Sequence, residues 1–144
     1  MLVSLLLGCL TIFVAMGIQI IAVVFMVQYL MKLNSLKDQK QSGFGFKSYV
    51  ISIVLLMLFS GNMIQMAMWA MLFEFLGEFS DFSTAFYHSV VNFSSLGYGD
   101  IVMSEKWRLL GALEATNGVM MFSLSAGTLL AVMAYLFNIS YHNR

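Results

Sequence analysis

The side chains in this sequence that could do chemistry are few and scattered. Two histidines, one cysteine and seven acidic residues are spread over 144 residues. His88 has no second His, Cys or acidic residue beside it at ligand spacing, so it reads as a packing residue rather than a metal ligand. There is no His/Cys cluster, no nucleotide loop and no nucleophile motif, so neither an enzyme nor a bound cofactor is expected. What remains is chemistry of the backbone. In Ser94-Ser95-Leu96-Gly97-Tyr98-Gly99-Asp100 two glycines flank one residue and open backbone angles closed to other side chains. A ring of such segments from several chains could turn its carbonyl oxygens inward and replace the hydration shell of an ion. One carboxylate, Glu114, stands well inside an apolar stretch, where an ionisable group marks a functional site by default.

These groups must be positioned by unusual elements. The chain is 60% hydrophobic and 10% charged, without a single proline, whereas soluble domains carry about 25% charged residues. Met1–Met31 and Ser48–Phe73 hold no charge, and Ala115 to His142 holds none apart from His142. Each run exceeds the ~20 apolar residues needed to cross a bilayer core, and none shows the polar face of a soluble helix. Zero net charge gives no pointer to nucleic acid. Leu6-Leu7-Gly8-Cys9 sits in a run that lacks a preceding basic residue and continues unbroken, so the first span is expected to be retained rather than cleaved.

Between the first two spans, Lys32, Lys37, Lys40 and Lys47 face a lone Asp38, around a turn at Ser42-Gly43-Phe44-Gly45. The excess of lysine places this loop in the cytoplasm. The N-terminus is then outside and the C-terminus cytoplasmic, in the plasma (cell inner) membrane. The acidic residues Glu74, Glu78, Asp81, Asp100 and Glu105 fall on the opposite side, and Arg144 on the inner one. Within Glu74–Arg108, the stretch Phe82–Phe93 predicts a helix of about three turns, capped by Ser80 or Asp81. It is too short to span and too apolar for water, as a re-entrant helix is. Irregular backbone after it is tolerated at membrane depth where it lines a water-filled path.

From residue 48 to about Tyr135 the chain resembles the potassium channel pore-domain family, whose filter reads Thr-Val-Gly-Tyr-Gly-Asp after a pore helix. Ser95 stands where the family has threonine, keeping a hydroxyl, and Leu96 where it has valine. The fold this implies is an all-α membrane protein with three transmembrane helices, a re-entrant pore helix and a filter loop, assembled as a homotetramer. The divisions are an N-terminal helix (1–31), a basic loop (32–47), a pore domain (48–137) and a short tail (138–144). The pore domain comprises outer helix 48–73, pore helix 82–93, filter 94–100 and inner helix 108–137. The resemblance implies potassium ions held by backbone carbonyls of Ser95, Leu96, Gly97 and Tyr98, with Gly99 completing the filter and Asp100 at the outer mouth. It further implies a gating hinge at Gly118 and a cavity lined by Val119, Phe122, Ala126 and Leu130. Gly111 and Gly127 suit close helix packing instead.

Glu114 is expected to support the filter, with Tyr98, Ser94 or Asn117 as partners, the alternative being a wet interfacial carboxylate. The first span, lacking a polar stripe, is expected to pack peripherally on Ser48–Phe73 through Gly8, Ala15, Gly17 and Ala22 and to face lipid elsewhere. Its lack of arginine excludes a voltage sensor of the Arg-rich kind. Passive potassium conduction is the leading expectation, with membrane lipid and monovalent cations as partners. A weakly selective monovalent cation channel and a non-conducting accessory or scaffold subunit are the alternatives. A small transporter would show paired repeats or two interrupted helices, and neither is present.

Overall fold

The computed structural model describes residues 1–35 and 43–142, without the side chains of 33–35 and 138–142, and among them every regular element is helical. The helices are α1 (Leu2–Ser35), α2 (Phe44–Phe75), α3 (Phe82–Phe93) and α4 (Arg108–His142). Three of them, α1, α2 and α4, contain stretches long and apolar enough to cross a membrane: Leu2–Lys32, Phe44–Phe75 and Arg108–Phe137. In hydrocarbon a helix is the natural answer, because it satisfies every backbone polar group within the segment.

The helices run past the apolar runs that announce them. α1 continues beyond Met31 to Ser35, and α4 continues through the expected tail to His142. α2 begins at Phe44, so only Gly43 of the expected turn is non-helical among the described residues, as an extended N-cap with φ −66° and ψ 158°. Lys37, Asp38, Lys40 and Ser42 lie outside the described residues.

Where α1 packs departs from expectation. It lies against α4 as well as α2, in the groove between them. The missing Cβ of Gly8 makes room for Leu110 and Leu113 of α4, and Ala22 faces Gly61 of α2, 3.4 Å from where a Cβ would stand. Ala15 is fully buried, whereas Gly17 touches nothing that a Cβ would meet. Close approach through small residues is the usual basis of helix association in membranes, where lipid offers no hydrophobic drive.

Two apolar clusters hold the bundle. Near α3 are Met66, Trp69, Phe73, Phe93, Trp107, Leu110 and Met121; at the other end are Met26, Val50, Val54, Leu58 and Val132. The first cluster seats α3 against α2 and α4, with Ala85, Ser89 and Phe93 fully buried. The start of α3 is fixed by Asp81, whose carboxylate accepts from the Thr84 backbone N–H at 2.9 Å and from the Thr84 hydroxyl at 2.8 Å. Such a cap satisfies donors that the first turn would otherwise leave unpaired. His88 is held as a packing group, its ring 4.9 Å from that of Phe79 and 5.7 Å from that of Phe73.

Candidate functional site

The segment that follows α3 is hung from the last turn of that helix. The Ser95 N–H donates to the Asn92 carbonyl at 2.9 Å, and the Leu96 and Gly97 N–H groups donate to that of Val91 at 3.0 and 3.4 Å. The Ser94 hydroxyl donates to the Val90 carbonyl at 2.6 Å. Beyond this anchor the backbone alternates. Ser95, Gly97 and Gly99 have φ of 58°, 56° and 76°, and Leu96 and Tyr98 between them do not enter the positive region. Glycine takes such angles freely, while Ser95, with a Cβ, stores a modest strain there. Alternating handedness abandons the strand pattern, in which neighbouring peptide groups point to opposite sides, and lets successive peptide dipoles share one side. Ser95 to Asp100 are all exposed on the single chain, Leu96 at 57% and Tyr98 at 67%, so their outward face is free to meet something else.

Asp100 closes the segment. Its carboxylate accepts from the Tyr87 hydroxyl of α3 at 2.7 Å. That bond holds the Asp100 carboxyl below the usual carboxylate value and raises the Tyr87 hydroxyl above the usual phenol value. Residues beyond it are tied back in two places. His88 Nδ1 lies 3.3 Å from the Ile101 carbonyl. The Glu78 carboxylate accepts from both the backbone N–H and the hydroxyl of Ser104, the latter at 2.8 Å.

Against α3, the helix from which the segment hangs, sits Glu114, fully buried. It accepts from Asn92 Nδ2 at 2.7 Å and is in hydrogen-bond contact with the Ser89 hydroxyl. Asn92 Nδ2 also donates to the Gly111 carbonyl at 2.7 Å, and the Ser89 hydroxyl to that of Met66 at 2.9 Å. The network therefore binds α2, α3 and α4 together. Its members differ from those expected: none of Tyr98, Ser94 and Asn117 is a partner, and the wet alternative is excluded by burial. Ser89 and Asn92 are three residues apart on α3 and so share a face; polar residues at that spacing in an apolar helix were the signal in the sequence. Asn117 is buried with both amide atoms unpartnered among the described residues.

The glycines of α4 separate by environment. A Cβ at Gly118 would overlap the carbonyl oxygen of Phe93 at the end of α3, and one at Gly111 would come within 3.0 Å of Met103 Sδ and 3.4 Å of Asn92 Nδ2. Gly127, expected in close packing, meets nothing within 4 Å in the chain. α4 continues as one helix through Gly118. Val119, Phe122, Ala126 and Leu130 are all exposed on it, with Phe122 also packed edge-on against Phe93 at 5.6 Å.

Among the described residues no group of three His, Cys, Asp or Glu side chains could hold a metal ion. The arrangement instead offers an exposed, backbone-lined segment, set between two apolar spans and hung from a short helix that a buried carboxylate ties to its neighbours. No curated protein and no solved structure matches the chain. A family model described as that of an ion channel matches residues 51–135, well over half the chain and the whole of this site, and the chain, a multi-pass membrane protein, belongs to that ion channel family.

Proposed function

We propose that four copies of this chain surround one pore and conduct potassium passively through Ser95, Leu96, Gly97, Tyr98 and Gly99. The observation that carries the reading is the alternating backbone at Ser95, Gly97 and Gly99, directly after a short buried helix and between two apolar spans. In a four-fold ring, peptide carbonyls of Ser95, Leu96, Gly97 and Tyr98, with the Ser95 hydroxyl, replace water around a bare cation. α3 then acts as the pore helix, its partly negative C-terminal end directed at the cation path. Asp100, clasped by Tyr87, stands at the outer mouth, and Val119, Phe122, Ala126 and Leu130 line the cavity below. Gly118 is the hinge of α4. The lysine-bearing end faces the cytoplasm.

Purified protein in liposomes with a potassium gradient tests the proposal directly. Flux that is carried by potassium and abolished by Gly99→Ala is the expected result; no flux from the wild-type chain points to an accessory subunit. A second reading, a weakly selective monovalent cation channel, is favoured by Ser95 and Leu96 at two filter positions. A reversal potential in mixed potassium and sodium separates the two, since weak selectivity keeps it near zero.

A further inference from the structure

Gln19 lies near the middle of α1 and is fully buried. Its amide uses both ends. Nε2 donates to the Ser125 hydroxyl of α4 at 3.0 Å, and Oε1 accepts from Gln65 Nε2 of α2 at 2.8 Å. Three helices thus meet through buried polar side chains, in a set of bonds that shares no side chain with the Glu114 network. Gly61 lies beside the meeting point, where a Cβ would stand in ordinary contact, 3.5 Å from Gln19 Oε1 and 3.4 Å from the Ala22 Cβ. A helix that served only to anchor the chain in lipid would have no use for a glutamine at this depth, where a polar group needs a partner.

The position of Ser125 gives the contact a consequence. It lies seven residues, about two turns, beyond Gly118 on α4, and it is buried while Val119, Phe122, Ala126 and Leu130 are exposed. Gln19 therefore grips the back of the half-helix that must swing if α4 bends at Gly118. Below the grip the same α1–α4 contact continues through Met26 and Val132.

We propose that Gln19 is a positioning residue for gating, holding the far half of α4 straight through Ser125 so that the pore rests shut. The proposal builds on the channel reading above. In this role α1 acts on the gate and leaves the permeation path alone. Opening breaks the Gln19–Ser125 bond, so removing it favours the open position of each α4 by the factor typical of one interhelical hydrogen bond in a membrane, roughly 3- to 20-fold per chain, and the factors multiply where the four helices move together.

The experiment uses the full-length chain with Ser125→Ala, Gln19→Met, the double variant and Ser125→Thr, each read by single-channel recording and by distance. Ser125→Ala and Gln19→Met are expected to raise the open-to-closed ratio at least roughly 3-fold, the effect of a single bond, and more where the four α4 helices move together. The double variant should go no further than the stronger single one, and Ser125→Thr, which keeps the hydroxyl, should match the wild type. Unitary conductance and reversal potential should not move in any of them. For distance, spin labels at Met31→Cys and Tyr135→Cys in a Cys9→Ser background report the separation of α1 and α4. Their distribution should lengthen in Ser125→Ala and return in Ser125→Thr. That readout needs no current, so a wild-type chain that fails to conduct overturns the channel reading while the distances still judge the grip. An open probability unchanged or lowered in both single variants, effects that multiply in the double variant, or distances indifferent to Ser125→Ala would each overturn the proposal.

Discussion

Glu114 offers the sharpest test of how the filter is supported, because its two oxygens meet different demands. Asn92 Nδ2 must donate to it, while the Ser89 hydroxyl, with a single hydrogen, has a second acceptor in the Met66 carbonyl. Glutamine satisfies both: its oxygen accepts from Asn92, its amide donates to the Ser89 oxygen, and Ser89 donates to Met66. Glu114→Gln is therefore expected to leave thermal stability and potassium flux close to wild type. Leucine fills the volume but accepts nothing, leaving one Asn92 N–H buried without a partner, which costs about 1–3 kcal/mol per chain. Alanine loses the same bond and opens a cavity as well, so it should cost more than leucine. The assay is thermal unfolding of the purified assembly in detergent, with flux measured in parallel. The order Gln above Leu above Ala is the prediction. If Glu114→Gln falls as far as Glu114→Leu, the negative charge itself is what the site requires, and the hydrogen-bond argument is refuted.

Gly99→Ala should abolish flux while preserving expression, since φ of 76° at that position penalises any Cβ; surviving wild-type conductance would remove residues 94–100 from the pore. Gly118→Ala should destabilise the fold more than Gly127→Ala, because its Cβ meets an unyielding backbone carbonyl at Phe93 whereas Gly127 has open space; comparing melting midpoints decides it. The clasp between Tyr87 and Asp100 should make its contribution insensitive to pH over a wide window. Asp100, lowered from 3.8, loses its part only as pH falls through that depressed value, and Tyr87, raised from 10.0, only as pH rises through its elevated one. Flux should accordingly show no Asp100-dependent change between about pH 7 and 9, a range in which His88, which feels the Asp100 charge and is lowered from 6.5 by burial, stays neutral; the difference between wild type and Asp100→Asn is the measure.

The three spans were legible because the charges leave long gaps and bilayer thickness sets a minimum length. Their ends were not, since a helix can continue past the apolar run that announces it, as α1 and α4 do. The partners of Glu114 depend on the rotation of α4 against α3, which is fixed where Gly118 meets the Phe93 carbonyl, a contact between residues far apart in sequence. The seat of α1 was written in the sequence in a form that hydropathy conceals. Ser4, Gly8, Ala15, Gln19, Ala22 and Met26 recur at helical spacing and all face inward or against a neighbour. On a helix apolar all round, small and polar residues mark the packed face better than hydrophobic ones do, and Gln28, off that stripe, is exposed.

The pairing of Glu78 with Ser104 ties together two points 26 residues apart, with α3 and residues 94–100 between them. This makes the intervening segment a closed loop resting on the spans. The entropy of closing such a loop grows only with the logarithm of its length, so residues inserted within it add little further cost. Cutting the tie is different: it loosens the two ends beside Glu78 and Ser104, while the Asp81 cap, the Tyr87–Asp100 bond and the Glu114 network keep the middle of the loop seated on the spans.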